Sequence, residues 1–364
     1  MRHGTAGGVR FRGVASAPDD TARRTPRIRD VAERAGVAVS TVSRVLNDAP
    51  GVAAPTRERV RAAMAELCYS PSSTARNLSL GRTHTLAVIA PFFTQPSVVE
   101  RLRGIDEIVG ASAYDLTIFN IETPEQRQEA MARAARRDRA DGVVVISIPL
   151  TDAEVRGLRG QQLPAVLIDA MHAALPHVVV DDEAGGALAA EHLLERGHHR
   201  IAFVGDLAEN PFGFASSERR LRGLRAAIER AGDKLREDYV RRGPFGRETA
   251  RGLTRELLAL DPPPTAIFAA SDTQAFGVLD AVARAGLVVP DDVSVIGFDD
   301  IEVAGAIGLT TVRQPLRESG RIGARLLLAA LEDDDGDGPA GVRRTGELSV
   351  VARRTVGVLA PDRT

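Results

Sequence analysis

The chain has 364 residues, 44% of them hydrophobic, and a formal net charge of −2, enough for a small domain plus a larger body with its own cores. No run approaches the ~18 consecutive apolar residues of a membrane helix, the single Cys68 allows no internal disulfide, and five arginines without an apolar stretch mark the first 25 residues, so a reducing, cytoplasmic setting is expected. Residues 1–82 hold fourteen arginines against seven acidic residues, whereas the remainder carries nine more acidic than basic groups; a basic head on an acidic body suits a chain that meets phosphate at one end.

Residues 1–26 show no periodicity and read as a disordered tail. Ile28, Val31, Ala32 and Ala35 recur at helical spacing and Gly36 follows, which predicts a first helix and its left-handed stop. A second helix, from about Val39 to Leu46, turns Val42, Val45 and Leu46 inward. Its opposite face offers Val39, Ser40, Thr41, Ser43, Arg44 and Asn47, small hydroxyls with one guanidinium and one amide, groups that reach phosphates and base edges. A third helix follows Pro55 and Thr56, aligns Val60, Met64 and Leu67, and is expected to bury Cys68. Three short helices over residues 27–71 form the helix-turn-helix plan. Pro71 closes it, and residues 72–83 are a short polar linker.

From residue 84 to 364 the texture changes. Apolar runs such as LAVIA (86–90), GVVVI (142–146), RIAFVG (200–205) and SVIGF (294–298) alternate with amphipathic helical stretches. Buried strands alternating with helices mean parallel sheets covered on both faces. Eight such runs exceed one compact sheet, so the body is expected to be α/β with two Rossmann-like lobes. The expected division is about 84–180 plus 312–335 for one lobe and about 181–311 plus 345–358 for the other.

The segments RIRDVAERAGVAVSTVSRVLN, TRERVRAAMAELCYSPSSTARNL, VDDEAGGALAAEHLLERGHHRIAFVG, PTAIFAASDTQAFGVLDAV and PDDVSVIGFDDIEVA closely resemble the lactose-repressor (LacI/GalR) family, across nearly everything after residue 26. The resemblance implies a sequence-specific DNA-binding transcriptional regulator, a repressor and a homodimer on a near-palindromic operator. It also implies a periplasmic-binding-protein-like sensor for a small-molecule effector, expected to be a sugar, and neither enzyme activity nor a cofactor. It places base reading at Val39 and Ser40, and phosphate or base contacts at Thr41, Ser43, Arg44 and Asn47, with Arg29 adding positive charge. Leu78 matches the linker leucine that wedges into the minor groove, flanked by Ala75 and Arg76. Ala38 and Ala53 depart from the serines usual in the family, each a lost helix cap worth about 1 kcal/mol.

In the body, the resemblance assigns effector contacts to Asp169, Arg220, Phe245, Asp299 and Gln314. Ser271 stands where the family usually has Asn. Phe92 and Phe93, which follow the first strand, are expected to line the same cleft, because open α/β sheets bind ligands at strand C-terminal ends. The plainer alternative is that Arg220 and Asp299 form a structural ion pair.

Other signals carry less. The run Asp333-x-Asp335-x-Asp337-Gly338 opens like a calcium loop, but its twelfth position is Arg344 rather than Glu. His192, His198 and His199 lack zinc-ligand spacing, so no metal site is expected. An alternative reading of the body is a sugar carrier without a regulatory role, which would need export and no headpiece. A Rossmann-type enzyme would need a glycine fingerprint after the first strand, where PFFTQPS stands instead.

Overall fold

The computed structural model describes residues 26–69, 82–332, 342–344 and 346–359. Ala75, Arg76 and Leu78 lie outside the described residues, as does the acidic run from Asp333 to Gly338. The chain divides into two compact units, residues 1–80 and 81–364.

The first unit contains α1 (Ile28–Ala35), α2 (Val39–Leu46) and α3 (Ala54–Glu66). Val31, Ala32, Ala35, Val42, Val45, Val60 and Ala63 meet in one core, with Leu46, Met64 and Leu67 packed against it. Gly36 takes the left-handed conformation (φ 65°), and the amides of Gly36 and Val37 close α1 on the carbonyls of Glu33 and Ala32. Neither Ala38 nor Ala53 supplies a side-chain cap to α2 or α3. The third helix ends earlier than its sequence suggests. Tyr69 N–H bonds back to the Met64 carbonyl, which forces Cys68 into the left-handed region (φ 50°) and turns its thiol outward. Cys68 is therefore exposed, against the expectation of burial.

The second unit holds two six-stranded sheets. The first orders β11 (Val342–Arg344), β5 (His177–Val179), β4 (Ala165–Ile168), β3 (Gly142–Ile146), β1 (Thr85–Pro91) and β2 (Asp115–Ile121), all parallel. The second orders β12 (Ser349–Val351), β10 (Thr310–Arg313), β9 (Ser294–Asp299), β8 (Ala266–Ala269), β6 (Ile201–Asp206) and β7 (Val240–Gly243), with only β12 antiparallel. The central strands feed two cores through their pleat. Ala87 and Ile89 face one side of the first sheet while Leu86, Val88 and Ala90 face the other, and Phe203 and Val204 split in the same way in the second.

The chain passes between the sheets after β5, after β10 and between β11 and β12. Because β10 runs to Arg313 in the second sheet, the second passage falls at Gln314–Pro315, slightly later than the expected return at about 312. Helices α4 (Pro96–Val109) and α12 (Leu316–Glu332) pack on the first sheet. Helices α7 (Asp182–Leu194), α8 (Ser216–Arg230), α9 (Arg247–Leu258) and α10 (Asp272–Arg284) cover the second. Three crossings are glycine-dependent, one of them α9 on α10, where a Cβ at Gly277 would overlap the Arg247 carbonyl oxygen. A Cβ at Gly186 of α7 would overlap the Arg220 carbonyl oxygen, and one at Gly320 of α12 would overlap that of Arg101.

Candidate functional site: a DNA-reading face and an interlobe cleft

On the first unit, the burial of Val42 and Val45 decides which side of α2 remains outside. Val39, Ser40, Arg44 and Asn47 are exposed, and Thr41 and Ser43 are half-buried. Ser40, Ser43, Arg44 and Asn47 stand at i, i+3, i+4 and i+7 and so share one stripe. Arg29 on α1 is also exposed. Neither Arg29 nor Arg44 is paired with a carboxylate among the described residues, so both guanidiniums are free to meet phosphate. Arg57, by contrast, is used internally: its guanidinium donates to Asp48 Oδ1 (3.0 Å) and to the Ala49 carbonyl (2.6 Å), bracing the turn after α2.

On the second unit, a cleft with about 190 Å³ of free space opens at the C-terminal ends of the strands of both sheets. Five non-glycine residues at these ends hold positive φ: Phe92 (44°), Ser147 (59°), Asp169 (60°), Asp299 (120°) and Asp300 (57°). Such conformations cost on the order of 1–3 kcal/mol each and cluster where a ligand is clamped. The turns aim side chains into the space between the sheets instead of along them.

A polar chain crosses the cleft floor. Ser147 Oγ donates to Asp169 Oδ2 (2.8 Å), and Arg101 Nη2 pairs with the same oxygen at 3.2 Å. Arg101 also reaches Gln314 Oε1 (3.4 Å), and Gln314 Nε2 donates to Asp299 Oδ1 (2.5 Å). Arg220 then stands 4.0 Å from Asp299, donates Nε to Asp182 Oδ1 (2.9 Å) and Nη1 to the Ala270 carbonyl (2.6 Å), and lies 3.6 Å from the centre of the Phe298 ring. Ser271 caps α10 through the Gln274 amide and donates its hydroxyl to Gln274 Oε1 (3.0 Å), which leaves Gln274 Nε2 to Asp206 Oδ1 (3.0 Å).

Phe92, Asp169, Arg220, Phe245, Ser271, Asp299 and Gln314 all line the cleft. Phe93 does not: its side chain is 40% exposed and only its backbone is held, through N–H to Asn120 Oδ1 (3.0 Å). Sequence reasoning missed Arg101, Asp182, Asp206 and Gln274. Arg101 had left a signal, an arginine on the buried stripe of Val98 and Ile105. It also missed a strap between the lobes. Residues 207–215 leave the second sheet, yet Phe212 is buried in the first lobe's core, edge-on to Phe92 (5.5 Å) and stacked on Phe214 (5.3 Å). Asn210 preorganises the strap by accepting from the Phe214 amide and donating to its carbonyl.

Burial sets the proton affinities behind the cleft. Asp272 is fully buried, accepts from Thr311 Oγ1 (2.6 Å) and the Ile301 amide (3.0 Å), and is pushed up to about 8 by burial and then by the nearby Asp299. Burial lowers His192 to about 4 and lowers His198 as well. A carboxyl raised on folding stabilises fully below its unfolded pKa, ~4, and loses that contribution as pH climbs to its folded value. A histidine lowered on folding acts oppositely, but only below ~6.5. Between pH 6.5 and 8 the histidines no longer oppose the raised buried carboxyls, Asp272 together with its neighbour Asp299, and the melting temperature of the wild type should fall across this interval. The fall should be smaller in Asp272→Asn; equal slopes in both proteins would contradict the assignment.

A helix-turn-helix unit with an open polar face, followed by a bilobal body with a charged interlobe cleft, defines a transcription regulator with a small-molecule sensor. The model of bacterial regulatory proteins, lacI family, matches residues 27–72, and that of the periplasmic binding protein-like domain matches residues 190–356. The chain is 32% identical over 336 residues to the HTH-type transcriptional repressor PurR of Vibrio campbellii, spanning 90% of this chain and 98% of that protein. The chain belongs to the lacI family of DNA-binding transcriptional repressors, whose sensor domains bind ligands. Among solved structures it is similar to the Lac repressor dimer bound to operator and the anti-inducer ONPF, with TM-score 0.78, 28% identity and coverage of 93% of this chain and 100% of that one. It is also similar to the transcriptional regulator CelR–cellobiose complex, with TM-score 0.67, 29% identity and coverage of 91% and 99%.

Proposed function

We propose that the effector is a small sugar held between the lobes, and that it controls the affinity of a homodimer for a near-palindromic operator. The observation that carries this reading is the chain Asp169–Arg101–Gln314–Asp299–Arg220, which presents donors and acceptors from both lobes in a cleft also lined by Phe92, Phe214 and Phe245. Carboxylates accept from vicinal hydroxyls, guanidiniums donate in a fixed fork, and an aromatic face takes the C–H side of a ring. Cellobiose in the similar CelR complex is a ligand of this kind. A ligand bridging both lobes favours one lobe arrangement over another, and only such differential affinity can move the DNA-binding equilibrium. In this reading residues 27–71 read the operator, residues 72–83 order against DNA with Leu78 as an apolar wedge flanked by Ala75 and Arg76, and the remainder senses and dimerises.

The test is a calorimetric titration of the full chain with a panel of mono- and disaccharides, coupled to operator affinity with and without each binder. Absence of any sugar binding would overturn the reading of the cleft, and sugar binding with unchanged DNA affinity would favour a carrier. For the DNA face, Arg44→Ala is expected to weaken operator binding by about 1–3 kcal/mol, and substitution of Ser40 to change which operator is preferred. Selection of bound sequences from random DNA checks both, and an unaltered preference and affinity would mean that α2 does not enter the groove.

A further inference from the structure

We infer that the effector carries a protonated amine and that Asp206, at the end of β6, is its anchor. The inference rests on the reading of the cleft as a sugar site and specifies its chemistry: an amino-substituted polyol rather than a neutral one.

The argument is a charge balance over the carboxylates of the cleft. Asp169 is paired with Arg101 at 3.2 Å. Asp182 is paired with Arg220 at 2.9 Å and has Arg219, a third arginine of the cleft lining, at 3.9 Å. Asp299 has Gln314 at 2.5 Å and shares Arg220 at 4.0 Å. Asp206 lines the same cleft but forms no ion pair among the described residues, where its side-chain hydrogen bond comes from the neutral amide of Gln274, to Oδ1 at 3.0 Å. Its second oxygen has no protein donor. The amide cannot turn to offer more, because Ser271 holds its oxygen from the other side (3.0 Å). Arg220 and Asp299 are the charged groups whose fields reach Asp206, and they oppose each other.

A half-buried carboxylate whose nearest cation, Arg220, is already committed to Asp182 is costly to keep ionised. Burial accordingly raises Asp206 to about 6, which still leaves it mostly charged at neutral pH. The missing partner is thus a cation that arrives with the ligand. A hydroxyl can donate to the open oxygen, but an ammonium both donates and cancels the charge, and charge-assisted bonds are roughly twice as strong.

The experiment titrates the full-length wild type and Asp206→Asn with glucosamine, galactosamine and mannosamine, with their N-acetyl forms, and with glucose, galactose and mannose. Asn retains an acceptor for Gln274 while removing the charge, and melting temperature reports whether the variant folds. The expected result is that at least one amino sugar binds wild type ~10-fold or more tightly than its neutral parent. N-acetylation, which removes the positive charge, should abolish that advantage, and so should Asp206→Asn. If the neutral parents bind as tightly as the amines and the variant makes no difference, Asp206 is not an ammonium anchor, while the sugar reading stands. If neither amines nor parents bind wild type, both readings fall together.

Discussion

Arg220→Ala is expected to abolish effector binding and to destabilise the sensor body by about 3–5 kcal/mol, the range for breaking a buried ion pair by removing one partner. The reason is that Arg220 serves two roles at once. Its Nε holds Asp182 and its Nη1 the Ala270 carbonyl, while the guanidinium covers Phe298 and faces Asp299. Removal leaves Asp182 without its closest cation and Asp299 with only the amide of Gln314. The alternative of a purely structural Arg220–Asp299 pair is thereby recast, because the structural partner is Asp182 and the contact to Asp299 is the longer one. Arg220→Lys keeps the charge but loses the planar fork, so it should recover part of the stability and little of the effector affinity. Urea unfolding and calorimetric titration measure the two roles separately. Operator binding by the effector-free variants should persist below their melting temperatures. A variant that unfolds like wild type and still binds effector would remove Arg220 from both roles.

Gly223→Val is expected to be at least as damaging, at about 3 kcal/mol or more, although it deletes no interaction. A Cβ at Gly223 would overlap the Glu183 carbonyl oxygen, just as one at Gly186 would overlap that of Arg220. These backbone atoms belong to crossing helices, so neither can yield by a rotamer change; α7 and α8 must move apart. Separation would carry Arg220 away from Asp182 and lift its guanidinium out of the cleft floor. The variant should therefore lose both thermal stability and effector affinity. Gly252→Ala is the control, since a Cβ there meets nothing within 4 Å and should be neutral or slightly stabilising on a helix. Equal melting temperatures for wild type and Gly223→Val would show that the helices are not in backbone contact.

Legibility in the sequence followed burial. Strands such as LAVIA and GVVVI announce themselves because both faces are covered by helices, so the run is apolar throughout. The strands VRRG and TTVR do not, since β7 is an edge and β10 is short and carries threonines whose hydroxyl and amide groups are satisfied by Thr355 and Asp272. The site divides in the same manner. Family resemblance points to Arg220, Asp299 and Gln314, all of which line the cleft, whereas Arg101 and Gln274 lie on helices whose inward rotation is decided by neighbours distant in sequence. Adjacency to Phe92 puts Phe93 in the cleft on sequence grounds, but with Phe92 at positive φ only Phe92 lines the cleft and Phe93 is exposed.

The local sequence by itself determined the three-helix head, its outward polar stripe and the alternation that makes two parallel sheets, because helical and strand periodicities are properties of adjacent residues. It also determined the charge asymmetry that separates a DNA-facing end from a ligand-sensing body. Only the tertiary structure decided which carboxylate each arginine meets, because Asp182 and Arg220, or Arg101 and Asp169, are joined by packing across long stretches of chain. It likewise decided that Phe212 fills the core of a lobe to which its own strand does not belong, and that Asp206 forms no ion pair among the described residues. Those outcomes depend on how closely two helices approach and where a strand ends in space, quantities that periodicity does not encode and that glycine contacts and buried charges settle together.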